Sequence, residues 1–399
     1  VWRYLIPFVD PEVREWALEA RLLRWLTLLW LSVGLVVLFS ASYAIADAEQ
    51  GDGLYYVKRQ LIWIWLGLIG FNFIVRSPLR YLLGIADWGV LLLLGLILST
   101  LIPGLGATVN GATRWIAIGP VLLQPSELMK PFLVLQSARV FGQWERLPWK
   151  VRGIWLGIFA FVLAAILIQP NLSTTALCGM TLWLIALAAG LPLKYMLGTA
   201  LSGIFTAVIS IHLQPYQMRR VTSFMNPWAD PQGSGYQLVQ SLLAIGSGGT
   251  WGTGFGLSQQ KLFYLPIQYT DFIFSVFAEE FGFVGNLFLL LLLVVYACLA
   301  LRVAIQCRHR IKRLVAVGVM VVMIGQALLN IGVASGALPT TGLPFPLFSY
   351  GGSSSLASLM LAALLIRVAR ESHEADVLPL NPPSIGGERP RKKRLEARS

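Results

Sequence analysis

The chain has 399 residues, 56% of them hydrophobic and only 13% charged, and its mean hydropathy of +0.69 excludes a soluble domain of ordinary composition. The formal net charge of +12 would suit nucleic acid if the basic residues shared one folded face, but they scatter over loops and the C-terminal tail, so no nucleic-acid partner is expected. Cys178, Cys298 and Cys307 show neither CxxC spacing nor histidine partners, which excludes a disulfide framework and a zinc site.

Residues 1–24 carry Arg3, Arg14, Arg21 and Arg24 beside several acids, unlike a cleavable signal peptide, and are expected to form a cytoplasmic segment. Apolar stretches then recur along residues 25–370, each long enough to cross a hydrocarbon core of about 30 Å as a helix. Hydropathy and loop breakers place crossings near 25–46, 60–75, 82–102, 121–141, 154–169, 174–190, 195–213, 271–301, 314–338 and 354–367. The expected fold is an all-α polytopic membrane protein, with about ten transmembrane helices and a large extracytoplasmic loop between helices 7 and 8.

An even number of crossings puts both termini on one side. That side carries 24 of the lysines and arginines against 7 on the other, so the positive-inside rule makes the termini cytoplasmic. The basic turn from Arg302 to Arg313 and the tail PRKKRLEAR dominate the count and read as topological anchors. Contact of the tail with anionic lipid or a cytoplasmic partner is the alternative. Residues 371–399 are rich in Pro, Gly and charge and are expected to be disordered.

Three outward segments, 103–130, 214–270 and 339–355, are too long or too patterned to be plain connectors, and their shared side suggests one site. Several ionisable residues fall at or inside crossing ends: Glu127 and Lys130 in QPSELMK, Asp271 in YTDFIF, and Glu279 with Glu280 in FAEEFGF. Glu127 and Lys130 are three apart and share a helix face, as a functional pair or as a structural one. Asp271 reads either as a helix-capping acid or as a carboxylate at a cavity mouth, able to take a proton from a hydroxyl. A nearby Lys130 would oppose any rise in its pKa and keep it ionised. The glycine-rich stretch 244–256 lacks the spacing of a phosphate loop and is expected to pack an irregular loop under the active face.

The strings GLVVLFSAS, NGATRWIAIGPVLLQPSELMK, YQMRRVTSFMNPWADPQGSGYQLVQSLLAIGSGG, YLPIQYTDFIFSVFAEEFGFVG and LPTTGLPFPLFSYGGSS, in this order, resemble the SEDS family of shape, elongation, division and sporulation proteins over about residues 30–367. NGATRWI and GFGLSQQKLFYLP look more like its division branch, FtsW, than its elongation branch, RodA. The resemblance implies a glycosyltransferase that polymerises lipid II into peptidoglycan on the outer face of the bacterial inner membrane, at the division septum. It implies a class B penicillin-binding protein (transpeptidase) and other division proteins as partners. It makes Asp271 the general base and places Lys130, Glu127, Trp115 and Arg114 around the cavity, with Arg219, Arg220, Gln237, Gln240, Lys261, Ser349 and Ser353 as further substrate-binding candidates. Ile267 stands where the family pattern LPExxTDF commonly has an acid, which argues against an essential carboxylate there.

Such chemistry needs a base near a sugar hydroxyl and positive charge near a departing pyrophosphate. Arginine and lysine can supply that charge, or a bound divalent cation, Mg or Mn, can bridge phosphate oxygens; no protein metal site is expected, and no other cofactor. The lipid tail and surrounding membrane lipids need apolar grooves, which this composition offers. Two other readings use the same residues: a lipid II flippase, and a non-catalytic division scaffold in which Asp271 is replaceable.

Overall fold

The computed structural model describes residue 13 and residues 16–109, 112–119 and 121–377. Twelve helices account for most of it. In chain order they are α1 (Leu18–Gln50), α2 (Tyr55–Arg76), α3 (Leu79–Ser99), α4 (Pro125–Gly142), α5 (Trp149–Ile168), α6 (Leu172–Ala188), α7 (Leu193–Leu213), α8 (Pro215–Met225), α9 (Tyr236–Ser247), α10 (Ile273–Gln306), α11 (Arg310–Ala334) and α12 (Gly352–Val377). Proline punctuates them: Pro78, Pro148 and Pro192 immediately precede α3, α5 and α7, while Pro125 and Pro215 open α4 and α8. A missing N–H costs nothing in a first helical turn.

A helix stands at each of the ten expected crossings, and seven of these are long and apolar enough to span a membrane. The other three, α2, α4 and α6, are shorter or more polar. Burial orders the bundle: 83% of the most apolar window of α12 and 61% of that of α11 are buried, against 6% for α7. The centre is therefore α11 and α12, packed on α2, α4, α6 and α10, with α7 at the periphery.

The expected all-α class holds for the bundle, and segment 103–130 adds a small antiparallel sheet of β1 (Gly106–Val109), β2 (Ala112–Ile118) and β3 (Val121–Leu123), paired in the order β1-β2-β3 with a register shift at Ala107/Thr108. Residues 121–123, expected to begin a crossing, are thus a strand, because TRWIAI and VLL supply β-branched and aromatic side chains around a turn at Gly119, whose φ is +59°. Segment 214–270, expected to be more than a plain connector, is built around α8 and α9. Helix α12 runs on to Val377, so the expectation of disorder from residue 371 is corrected for 371–377; residues 378–399 lie outside the described residues.

Helix α10 is broken at Gly282 (φ 61°, ψ −161°). The glycine-rich segment fills the break: Thr253 N–H donates to the Glu279 carbonyl (2.9 Å) and Gly254 N–H to that of Glu280 (3.1 Å), while Phe283 N–H donates to Gly249 (2.9 Å). A Cβ on Gly248 would lie 2.2 Å from the Ala278 carbonyl oxygen, and one on Gly252 2.1 Å from that of Glu280. This close backbone approach is why the stretch is glycine.

Candidate active site

A cleft of about 1360 Å³ opens where β2, α2, α8, α9 and the segments 267–271 and 340–354 converge. Its wall includes Asp271, Arg114, Trp115, Arg219, Arg220, Gln237 and Ser353, which the sequence had singled out from separate regions of the chain. Asp271 precedes α10 by two residues. The helix N-cap is Phe272, with no side-chain capping bond, so the capping role weighed for Asp271 is not what this terminus displays. Gly342 faces the carboxylate, and a Cβ there would lie 3.7 Å from Asp271 Oδ2. Burial pushes the Asp271 carboxyl up to about 6, against the opposing pull of Arg220 and then Arg114. Lys130, expected to exert that pull, is not among its causes.

The two arginines are held by neutral groups. Arg114 donates from Nε to the Gln169 carbonyl (2.9 Å) and from Nη2 to that of Pro170 (2.6 Å). Arg220 donates to the Thr340 carbonyl (3.1 Å) and to the Tyr216 hydroxyl, and its guanidinium lies 4.5 Å from the Tyr216 ring centroid. Fixed in this way, they present positive charge toward the cleft without a neutralising carboxylate among these hydrogen-bond partners.

Five candidates lie off the wall. Lys130 and Glu127 form a buried ion pair (2.6 Å), and Lys130 also donates to Gln326 Oε1 (2.8 Å). Lys261 is buried against Glu280 (2.7 Å) and the Ser40 hydroxyl (2.7 Å). Ser349 Oγ donates to the Thr270 carbonyl (2.5 Å) and accepts from Phe345 N–H (2.8 Å). Gln240 sits half-buried on α9, one position short of a turn beyond Gln237. Glu279 is also engaged internally, accepting from the Ser258 hydroxyl (2.5 Å) and Gln259 N–H (2.9 Å).

The structure adds Arg59, Trp63, Gln124, Tyr216, Tyr269 and Tyr350 to the wall. Tyr269 and Tyr350 meet with ring centroids 5.9 Å apart, and Tyr56 stacks on Tyr269 at 4.5 Å. Burial pushes the Tyr269 and Tyr350 phenols upward. Tyr269 stands two residues before Asp271, and Tyr350 one residue after Ser349, and both could have been found from that proximity; Arg59 joins them only through tertiary contacts. Among the described residues no group of three or more His, Cys, Asp or Glu side chains converges as a metal site.

A polytopic helical bundle with an acid and fixed arginines in a terminal cleft defines the class. A family model described as "Cell cycle protein", covering FtsW, RodA and SpoVE, matches residues 20–374, and the chain belongs to this family. It is 62% identical over 378 residues to "Probable peptidoglycan glycosyltransferase FtsW" of Synechocystis sp., covering 95% of this chain and 96% of that protein. It is 37% identical over 357 residues to "Stage V sporulation protein E" of Bacillus subtilis, covering 88% of this chain and 97% of that one. Among solved structures, a chain from "Structural coordination of polymerization and crosslinking by a peptidoglycan synthase complex" aligns with a TM-score of 0.72 at 28% identity, covering 88% of this chain and 98% of that one. The rod shape determining protein RodA of Thermus thermophilus aligns with a TM-score of 0.65 at 28% identity, covering 88% and 96%.

Proposed function

We propose that this protein is a division-type peptidoglycan glycosyltransferase that polymerises lipid II, with Asp271 as general base. The observation carrying this reading is a carboxylate raised to about 6 by burial and set beside two arginines held by neutral partners in an open cleft. At neutral pH such an acid is mostly ionised yet basic enough to take a proton as a bond forms. The acceptor sugar hydroxyl attacks the donor's anomeric carbon and its proton passes to Asp271. The bond from that carbon to the pyrophosphate oxygen breaks, and polyprenyl pyrophosphate leaves with the bonding pair, inverting the anomeric centre. Arg114, Arg219 and Arg220 lie on the wall where they can offset the charge that develops on the leaving group.

Of the lining side chains, Asp271 and Asp230 are the carboxylates. That donor set suits a divalent cation, Mg or Mn, carried mainly by substrate phosphate oxygens, which would neutralise leaving-group charge. The bundle crosses the inner membrane ten times with both termini cytoplasmic and the cleft on the outer face, in keeping with the charge bias of its loops. A penicillin-binding protein with a single span is the partner, acting at the division septum; the synthase complex aligned above supports this assignment.

The test is to incubate the purified chain and its partner with lipid II in detergent and, separately, to follow lipid II translocation in liposomes. Glycan strands without translocation are expected. Translocation without polymer would establish the flippase reading, and neither activity the scaffold reading.

A further inference from the structure

The segment that presents Asp271 is held unusually firmly. Three successive carbonyls accept hydrogen bonds: that of Tyr269 from Tyr350 N–H (2.9 Å), that of Thr270 from the Ser349 hydroxyl (2.5 Å), and that of Asp271 from Asn330 Nδ2 (2.8 Å). The same Asn330 nitrogen donates to the Leu343 carbonyl (2.9 Å), so one buried amide ties the acid's backbone to the segment facing it. Asn330 Oδ1 is buried without a partner among the described residues. Turning the amide over would aim that oxygen at two carbonyl oxygens, so its orientation is fixed by the bonds it makes.

The need for such a clamp is written in the preceding turn. Ile267 has φ of +56°, and a β-branched residue in the left-handed region is strained and persists only where its surroundings hold it. The turn closes with Thr270 N–H on the Ile267 carbonyl (3.1 Å), so strain at Ile267 and the position of Asp271 share one short stretch of backbone.

We propose that Asn330 is a positioning residue for Asp271: its two amide donors hold the acid's backbone against the 343–344 segment and so set where the carboxylate stands in the cleft. Gln326 lies one turn earlier on α11 and extends the same device. Its Nε2 donates to the Pro344 carbonyl (2.7 Å) while its Oε1 accepts from Lys130 (2.8 Å). The buried Lys130–Glu127 pair thus reaches the acid through Gln326, residues 344 and 343, and Asn330, without lining the cleft. Residues four apart on α11 each hold one of two consecutive carbonyls.

The inference rests on Asp271 being the base, and its test is built to fail separately from that reading. Asn330→Leu keeps the volume and removes both donors; Ser349→Ala removes the neighbouring clamp and is the second variant if the first does not fold. Each is purified with the partner and assayed on lipid II, with activity normalised to folded protein. Asn330→Leu is expected to lower kcat roughly 100-fold, the scale of a misplacement of about 1 Å, with KM for lipid II within about twofold. The acid limb of its pH–rate profile should also move, because the carboxylate shifts relative to Arg114 and Arg220. Ser349→Ala should act in the same direction with a smaller loss, and the double variant should lose less than the product of the single effects, since both hold one segment. Full activity per folded molecule with an unmoved pH profile, in whichever variant folds, would overturn the positioning role while leaving an inactive Asp271→Asn to stand for the base.

Discussion

Lys261 and Arg220 are both cations on the long segment between α7 and α10, and the structure gives them opposite surroundings. Lys261 is sealed against the Glu280 carboxylate and the Ser40 hydroxyl, its charge matched inside the fold. Arg220 lies on the cleft wall, and its hydrogen-bond partners are a carbonyl and a phenol, which direct the guanidinium without cancelling its charge. The same contrast separates Asp271, in the cleft, from Glu127, Glu279 and Glu280, which are buried with partners. Residue type and loop position do not distinguish the members of these pairs. Their surroundings do: a charge bonded inside the fold is a structural tie, whereas one on the cleft wall is available to a ligand.

The largest expected effect lies on the sealed side. Lys261→Met leaves Glu280 buried without its cation and should destabilise the protein by about 3–5 kcal/mol, read as a loss of thermal stability in detergent. Adding Glu280→Leu should restore much of it, since a buried pair replaced together is often close to neutral. No recovery in the double variant would mean that Lys261 does more than match that charge.

On the open side, Arg220→Gln should leave folding nearly intact and lower the polymerisation rate about 100-fold, the cost of one charge-stabilising donor. The pH profile gives the sign. Losing a neighbouring cation disfavours the carboxylate, so the Asp271 pKa rises above its present value of about 6. A base must be deprotonated to act, so the acid limb should move to higher pH; a shift to lower pH would contradict the proximity of the two groups.

A smaller effect tests the glycine-rich support under the cleft. Gly282→Ala puts a Cβ 2.2 Å from the Gly252 nitrogen at a φ of +61°, and should cost about 1–3 kcal/mol by thermal unfolding. Gly70→Ala, in α2 with nothing within 4 Å of the added atom, should be neutral or slightly stabilising. Smallest of all, Lys58→Ala removes an ion pair with Asp52 of the same 2.7 Å length as the sealed one, yet 60% and 41% exposed, and should leave the melting temperature unchanged.

These contrasts explain what the sequence could convey. Hydropathy found the seven helices that are long and apolar enough to span a membrane because lipid imposes length and apolarity on each span separately. It misread residues 121–123, since a short strand leading into Pro125 looks like the first turn of the following apolar run. Asp271, Arg114, Trp115, Arg219, Arg220, Gln237 and Ser353 were legible through local motifs and share one cleft. Lys130, Lys261 and Ser349 sit in equally suggestive strings but face inward, because their partners Gln326, Glu280 and Thr270 come from elsewhere in the fold. Arg59 and Asn330 carry no local signal, and their places in or behind the cleft depend on tertiary packing.

The central claim, that Asp271 removes the acceptor's proton, is tested most directly by replacing it with the isosteric amide and measuring strand polymerisation at matched lipid II binding and folding. Asp271→Asn should lower the rate by about 10²–10⁴-fold, the range of general-base catalysis, while the native protein shows an acid limb near pH 6. A variant that polymerises at the native rate would show that the carboxylate is not the base and that the cleft works by another route.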